Sequence, residues 1–194
     1  PTDDDQKFTD YMARHGKSYE TAEEYEMRKQ LFLDTETFIN GHNETATAFK
    51  VGHNQLSDLT MEERRRRLGY KPRPEMHAIR GAMLKLDTAD TPAAWDWREH
   101  GVVNAVKDQG QCGSCWSFSA TGALEGIYQI TYNDLQSFSE QELVSCDSSF
   151  LGDHGCNGGL MDNAFKWVKS NGGLCTEADY PYVSGVTKQN EDCK

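Results

Sequence analysis

The sequence predicts a mainly helical chain made of two segments of different character, and three observations carry that reading. The composition changes near residue 90. Residues 1–90 hold 14 basic and 17 acidic side chains and neither Cys nor Trp. Residues 91–194 hold 6 basic and 14 acidic side chains, with all six Cys, all four Trp and 12 of the 17 Gly. Two T-x-x-E capping boxes, Thr21 with Glu24 and Thr60 with Glu63, mark helix starts in the first segment. Apolar and small residues recur at helical spacing in both. The length of 194 residues suggests one to two domains, here placed at 1–88 and 89–194. The net charge of −11 and the lack of a basic stripe argue against a nucleic-acid partner. No apolar run approaches the roughly 18 residues of a membrane span. Pro1 to Gln6 carry three aspartates and no apolar block, so no signal peptide is expected.

Taken in order, the first helix is expected around Lys7–His15, where Phe8, Tyr11 and Met12 share a face. After the first capping box, Glu24, Arg28, Phe32, Ile39 and Asn43 fall on one face of a helix of roughly 20 residues. Leu31 and Phe38 widen its apolar stripe. Gly52 to Asp58 reads as a turn into a short strand. Arg64 to Arg67 reads as a solvated helix face, with a processing site or a polyanion patch as the sharper alternative. Pro72 and Pro74 impose extended backbone, so residues 69–92 are expected to be an irregular connector. In the second segment, Trp116, Ala120, Ala123, Leu124 and Ile127 recur as in a long buried helix, with Ser114 as its expected N-cap. Cys115 then occupies the first turn, where free N–H groups and the helix dipole favour a thiolate, the nucleophilic form. Asn43-Glu44-Thr45 is a glycosylation sequon.

Glu24-x3-Arg28-x3-Phe32, Ile39-x3-Asn43 and Gly52-x-Asn54-x-Leu56-x-Asp58 together resemble the inhibitory propeptide of cathepsin L-like proteases of the papain family. The family has Asn at the place of Thr35 and Phe at the place of Leu56. Gln109-Gly110-Gln111-Cys112-Gly113-Ser114-Cys115-Trp116 resembles the signature around that family's nucleophile. Trp95-Asp96-Trp97-Arg98, Cys156-Asn157-Gly158-Gly159-Leu160-Met161-Asp162 and Asp179-Tyr180-Pro181-Tyr182 extend the likeness over residues 24–193. The resemblance implies an α+β papain-like fold, of which the helical proregion and helical first lobe lie in this chain.

It also implies roles. Cys115 would attack the scissile carbonyl, and Gln109 would donate to the oxyanion. Gly113, Trp116, Gly158 and Gly159 would meet substrate, and Leu160 and Met161 would help line an apolar pocket. The pattern implies disulfides Cys112–Cys156 and Cys146–Cys193, whereas six cysteines alone fix no connectivity. Cys175 is left as a free thiol or as the partner of a cysteine elsewhere. Cysteines and histidines lack zinc-ligand spacing, so neither metal nor cofactor is expected. The family's base lies roughly 130–150 residues beyond the Cys, yet 79 residues follow Cys115 and the one histidine among them is His154, read as a solvated loop residue. The β-rich second lobe, with its His and Asn, is therefore expected to lie outside this chain, and the chain alone is expected to be inactive. The implied whole is a zymogen acting on protein and peptide substrates, inhibited by its own proregion near Leu68-Gly69-Tyr70-Lys71, cleaved between Met83 and Thr91, and lysosomal, vacuolar or secreted. The rival reading is a protein inhibitor of papain-like proteases acting through residues 1–80.

Overall fold

The computed structural model describes residues 2–70, 91–147 and 153–194. It divides into two compact units, Pro1–Arg65 and Arg66–Lys194. The boundary expected at residues 88 and 89 lies outside the described residues. So do His77, Lys71, most of the proline-bearing connector and most of the expected cleavage stretch.

In the first unit, helix α1 spans Asp3–His15. It starts earlier than the sequence suggested, because Thr2 and Asp5 form a reciprocal capping box. Asp3, Asp4 and Asp5 also lie where the helix dipole favours negative charge. Helix α2 runs over Ala22–Thr45 from the Thr21 cap, and α3 over Met61–Arg66. Phe8 and Tyr11 of α1 pack on Phe32 of α2, with Tyr19 and Tyr25 around them. Phe32 and Ile39 are buried, but Phe38 is 62 % exposed within this unit and does not join the core stripe. The strand expected at Gly52–Asp58 does not form. Asn54 Oδ1 accepts from the Leu56 N–H and Ser57 Oγ accepts from the Asn54 N–H, so local bonds turn the chain instead.

In the second unit, helix α4 spans Cys115–Tyr132, α5 spans Glu140–Cys146, α6 spans Met161–Asn171 and the short α7 spans Ser184–Thr187. A 3-10 turn covers Gly155–Asn157. Cys112, Trp116, Ala120, Leu143, Val144 and Ala164 form the core, with α4 packed on α5 and α6. Disulfides join Cys112 to Cys156 and Cys146 to Cys193. They close loops of 44 and 47 residues, each worth roughly 3–4 kcal/mol if unstrained. Among the described residues there is no β-strand, only isolated bridges at Tyr70–Gly159 and Phe138–Thr176. The described chain is thus mainly helical.

Candidate active site

Gln109 to Ser114 form the loop that delivers α4 to its first residue, Cys115. Cys112 is pinned through its disulfide, and the Gly113 N–H donates to the Cys156 carbonyl at 2.9 Å. Ser114 stands at the N-cap position, but its hydroxyl makes no cap bond. It meets the Tyr182 hydroxyl at 2.7 Å instead, while the Ser114 carbonyl accepts from Ser117 N–H at 2.8 Å. The loop is therefore braced by the 182 region rather than by a side-chain cap.

Cys115 is a half-buried free thiol. Its Sγ accepts from the Gly69 N–H at 3.2 Å. Around it the stretch Arg66–Tyr70 offers two further backbone carbonyls as hydrogen-bond acceptors. Gln109 Nε2 donates to the Arg67 carbonyl at 2.8 Å and to the Cys112 carbonyl at 2.7 Å. The Gly159 N–H donates to the Gly69 carbonyl at 2.9 Å. Tyr70 pairs with Gly159 in a parallel bridge. Arg67 also reaches Asp108 at 3.1 Å. Residues 66–70 thus form a strap that occupies Cys115, Gln109 and Gly159 together. The strap fits because residue 69 has no side chain: a Cβ there would meet the Gly113 carbonyl oxygen at 1.8 Å.

The Gly158–Met161 segment lies on a rigid bed. A Cβ at Gly159 would sit 2.6 Å from the Trp116 ring, and Trp116 Nε1 donates to the Gly155 carbonyl at 3.0 Å. Trp116 is wholly buried. It lies beneath the segment and has no accessible surface while the strap is in place. Gly158, Gly159 and Leu160 are buried and Met161 is half-buried. His154 is exposed, and no histidine is among the hydrogen-bond partners of Cys115 in the described residues.

Each unit also holds a charge cluster of its own. In the first unit, Arg28 pairs bidentately with Glu63 at 2.6 and 2.7 Å, takes Glu24 at 3.3 Å and donates to the Asp58 carbonyl at 3.1 Å. The Asp58 carboxylate, 1 % exposed, accepts from Tyr11, Tyr19 and Lys17 at 2.7, 2.6 and 2.9 Å. Burial works against its charge, yet the hydrogen bonds from Tyr19, Lys17 and Tyr11 hold its carboxyl below the usual range. Arg28 holds Glu63 down to about 2 against burial. Asn43 clamps Val51 through two bonds, Nδ2 to the carbonyl at 2.7 Å and the Val51 N–H to Oδ1 at 2.8 Å. Asn54 holds the following turn, Leu56 is half-buried beside it, and Gly52 is exposed with open space where a Cβ would be. In the second unit, Lys107 bridges the buried Glu125 and Glu140, at 2.7 Å each. Sequence reading missed this bridge, although Glu125 is the one charged residue of α4.

Comparison with known proteins places both segments. Residues 91–194 match the family model of papain family cysteine proteases, and residues 8–63 match that of the cathepsin propeptide inhibitor domain. Thiol protease aleurain of Arabidopsis thaliana is 43% identical over 188 residues, covering 96% of this chain and 51% of the relative. Cysteine proteinase 3 of Solanum lycopersicum shows the same identity and coverage. The chain thus spans about half the length of these curated relatives. Among solved structures, a recombinant stem bromelain precursor superposes with a TM-score of 0.83 at 29% identity, covering 100% of this chain and 60% of that one. Digestive procathepsin L 3 of Tenebrio molitor larval midgut gives 0.80 at 33% identity, covering 100% and 62%.

Proposed function

Since the chain belongs to the papain family of cysteine proteases, we propose that it is the precursor portion of a cysteine endopeptidase whose nucleophile, Cys115, is covered by its own strap at residues 66–70. The observation that carries this reading is the Gly69 N–H on the Cys115 sulfur, flanked by strap contacts to Gln109 and Gly159. An inhibitor that filled the cleft would take these three positions together. When the strap leaves, Gln109 Nε2 loses its Arg67 carbonyl and is free to donate to a developing oxyanion beside the thiol. The Gly159 backbone is freed to receive an extended peptide, and Met161 is the half-buried apolar side chain at the end of that segment.

The mechanism of the whole protein follows from those atoms. Cys115 Sγ adds to the scissile carbonyl carbon and the carbonyl oxygen takes the negative charge. The amine leaves with a proton, and water then hydrolyses the thioester. The proton must be handled by a base from outside the residues described, because none of them presents a histidine to Sγ. The 194-residue chain by itself is therefore expected to turn over no substrate.

The test uses the longer natural protein of which these residues are part. After acid processing it should hydrolyse a fluorogenic dipeptide with an apolar residue second from the cut, and C115A should abolish this. Gln109→Ala should lower kcat by about a hundred- to a thousandfold. A C115A protein that still hydrolyses the substrate would overturn the assignment, as would turnover by the 194-residue chain that C115A removes.

A further inference from the structure

Beyond bracing Ser114, the Tyr182 hydroxyl reaches the other end of the loop that delivers Cys115. It donates to the Gln109 carbonyl at 2.8 Å and meets Ser114 Oγ at 2.7 Å. A tyrosine has one hydroxyl hydrogen and a carbonyl can only accept, so that hydrogen goes to Gln109. Ser114, wholly buried, then donates its own hydrogen to the Tyr182 oxygen. The bonds therefore run in one direction, from Ser114 to Tyr182 to Gln109. Burial pushes the Tyr182 pKa up to about 12, so the phenol keeps its proton, and with it the bond to Gln109, at neutral and acid pH.

The phenol is itself held in place. The Tyr182 N–H donates to Glu177 Oε1 at 2.8 Å, and the ring stands edge-on to Phe118 of α4 with centroids 4.9 Å apart. Backbone from α7 closes on the same loop, since the Gln111 N–H donates to the Gly185 carbonyl at 2.8 Å. A Cβ at Gly185 would come within 2.8 Å of the Gln109 carbonyl oxygen and 2.9 Å of the Tyr182 ring. One at Gly110 would come within 2.5 Å of the Gly185 oxygen. The Gln109 main chain thus lies against Tyr182 and Gly185 with no room to move toward them. Its side chain is anchored separately. Nε2 carries two hydrogens. One meets the carbonyl of the disulfide-bonded Cys112 at 2.7 Å, and the other meets the Arg67 carbonyl of the strap at 2.8 Å. When the strap leaves, the second hydrogen is set free, and its direction is fixed by the anchors that remain.

We propose that Tyr182 is a positioning residue for Gln109. Its hydroxyl holds the Gln109 carbonyl while the Cys112 carbonyl holds the Gln109 amide, and one Nε2 hydrogen is left aimed at the place where the strap's Arg67 carbonyl lies and an oxyanion would form. A donor stabilises developing charge best when it is already in place and need not reorganise as the charge appears. A misplacement of about 1 Å can cost about a hundredfold in rate. Among the described residues no hydrogen bond joins Tyr182 to Cys115 or to the strap, so its effect on the reaction passes through Gln109, with Ser114 orienting the hydroxyl. That Gln109 serves an oxyanion rests on the reading above, whereas the bonds that hold it do not.

The experiment compares the longer natural protein, after acid processing, with its Y182F, Q109A and Q109A/Y182F variants. Y182F keeps the ring and removes the hydroxyl. Its kcat should fall about ten- to a hundredfold, with KM unchanged within about twofold. In the Q109A background the same substitution should lower kcat by less than about twofold, because the donor it positions is gone. An equal fall in both backgrounds would make Tyr182 a general support of the loop and overturns the proposal. A rise in KM with kcat kept would place the hydroxyl in substrate binding and also overturns it. Should Y182F fail to fold, G185A presses on the same carbonyl from α7 and is read in the same way. A larger kcat loss beside Gln109 than in the Q109A background is expected, and equal losses overturn the proposal. The parent and C115A are measured first. A parent without turnover that depends on Cys115 overturns the protease reading and the role of Tyr182 with it, whereas an active parent matched by Y182F overturns the role of Tyr182 alone.

Discussion

A methyl group added at Gly69 would come within 1.8 Å of the Gly113 carbonyl oxygen and 2.5 Å of its carbon. Both neighbours are backbone, held by the 112–156 disulfide, so neither can give. Gly69→Ala should therefore lift the strap from the thiol. Cys115 in that variant should be alkylated by iodoacetamide at neutral pH at least about tenfold faster than in the parent, because the sulfur loses its N–H cover. Equal rates would show that the strap does not guard it. Cys175 serves as the internal comparison. It is exposed, yet the Glu142 carboxylate and burial raise its thiol above the usual range, which should keep it slow at neutral pH in both chains. At this scale the string Gln109–Trp116 was legible as a motif, and the structure brings its Cys115 and Gln109 to the same strap. The depth of Trp116 was not, because a string gives position along the chain and not burial, and the ring lies beneath Gly159. Nor could spacing reveal that Ser114 braces against Tyr182, 68 residues away.

Helix α4 carries one charge, Glu125, and turns it inward toward Lys107, which Glu140 at the start of α5 also holds. Burial alone would lower the Lys107 pKa, but the two carboxylates raise it overall, so the lysine is charged at every working pH. Lys107→Met would leave two carboxylates buried without their cation. Unfolding of the chain by urea should then show a loss of roughly 3–5 kcal/mol. In α2, Phe32→Ala removes the ring beneath Phe8, Tyr11 and His53, at a cost of about 3–5 kcal/mol to the first unit. Helices were the legible elements, since apolar spacing and caps are local signals. The start of α1 was missed because its box uses Asp5 where a Glu or Gln was sought. The strand at 52–58 was misread because Asn54 and Ser57 satisfy backbone groups that a strand would leave for a neighbour. The ionic bridge was invisible because its members come from three separated stretches. The Asn43 clamp also limits the sequon: Nδ2, the atom a glycan would take, is donated to the Val51 carbonyl. Protein made through a secretory route should carry little sugar at Asn43, as mass spectrometry of the peptide would reveal.

Across the molecule, buried carboxyls are shifted in opposite senses, Asp58 and Glu63 in the first unit down and Asp147 in the second up. In the first, Asp58 and Glu63 are held below their unfolded values by Tyr, Lys and Arg partners. Their contribution is present above about pH 4 and is lost as pH falls through those lowered values. In the second, burial and then the neighbouring Asp153 push Asp147 up to about 7, so its contribution is lost as pH rises from about 4 to about 7. Strong acid should therefore loosen residues 1–65, whereas protonation of Asp147 should not loosen the second unit. Exchange followed separately in each unit at pH 3, 5 and 8 should show protection in the first falling only below about 4. Asp58→Asn should flatten that acid limb and lower the first unit's stability at neutral pH, by about 1.5–3 kcal/mol for the charged hydrogen bonds lost. An acid limb unchanged in that variant would remove Asp58 from the response. The change from a charged segment to a cystine-bearing one near residue 90 was legible from composition, whereas the structure divides at Arg65 and Arg66. The sign of each unit's response was not, because it depends on which carboxylates meet donors and which meet each other. The strap has one more consequence, set by the direction in which it runs. Its parallel pairing with Gly159 brings a nitrogen-bound hydrogen, not a carbonyl carbon, to the Cys115 sulfur. A nucleophile facing a hydrogen has no electrophile to attack, so the cover is not its own substrate even though it lies in the cleft. Cutting must then fall on another bond or come from another molecule. Peptide maps of protein matured at a dilution that suppresses cutting between molecules should contain no terminus between Arg67 and Tyr70.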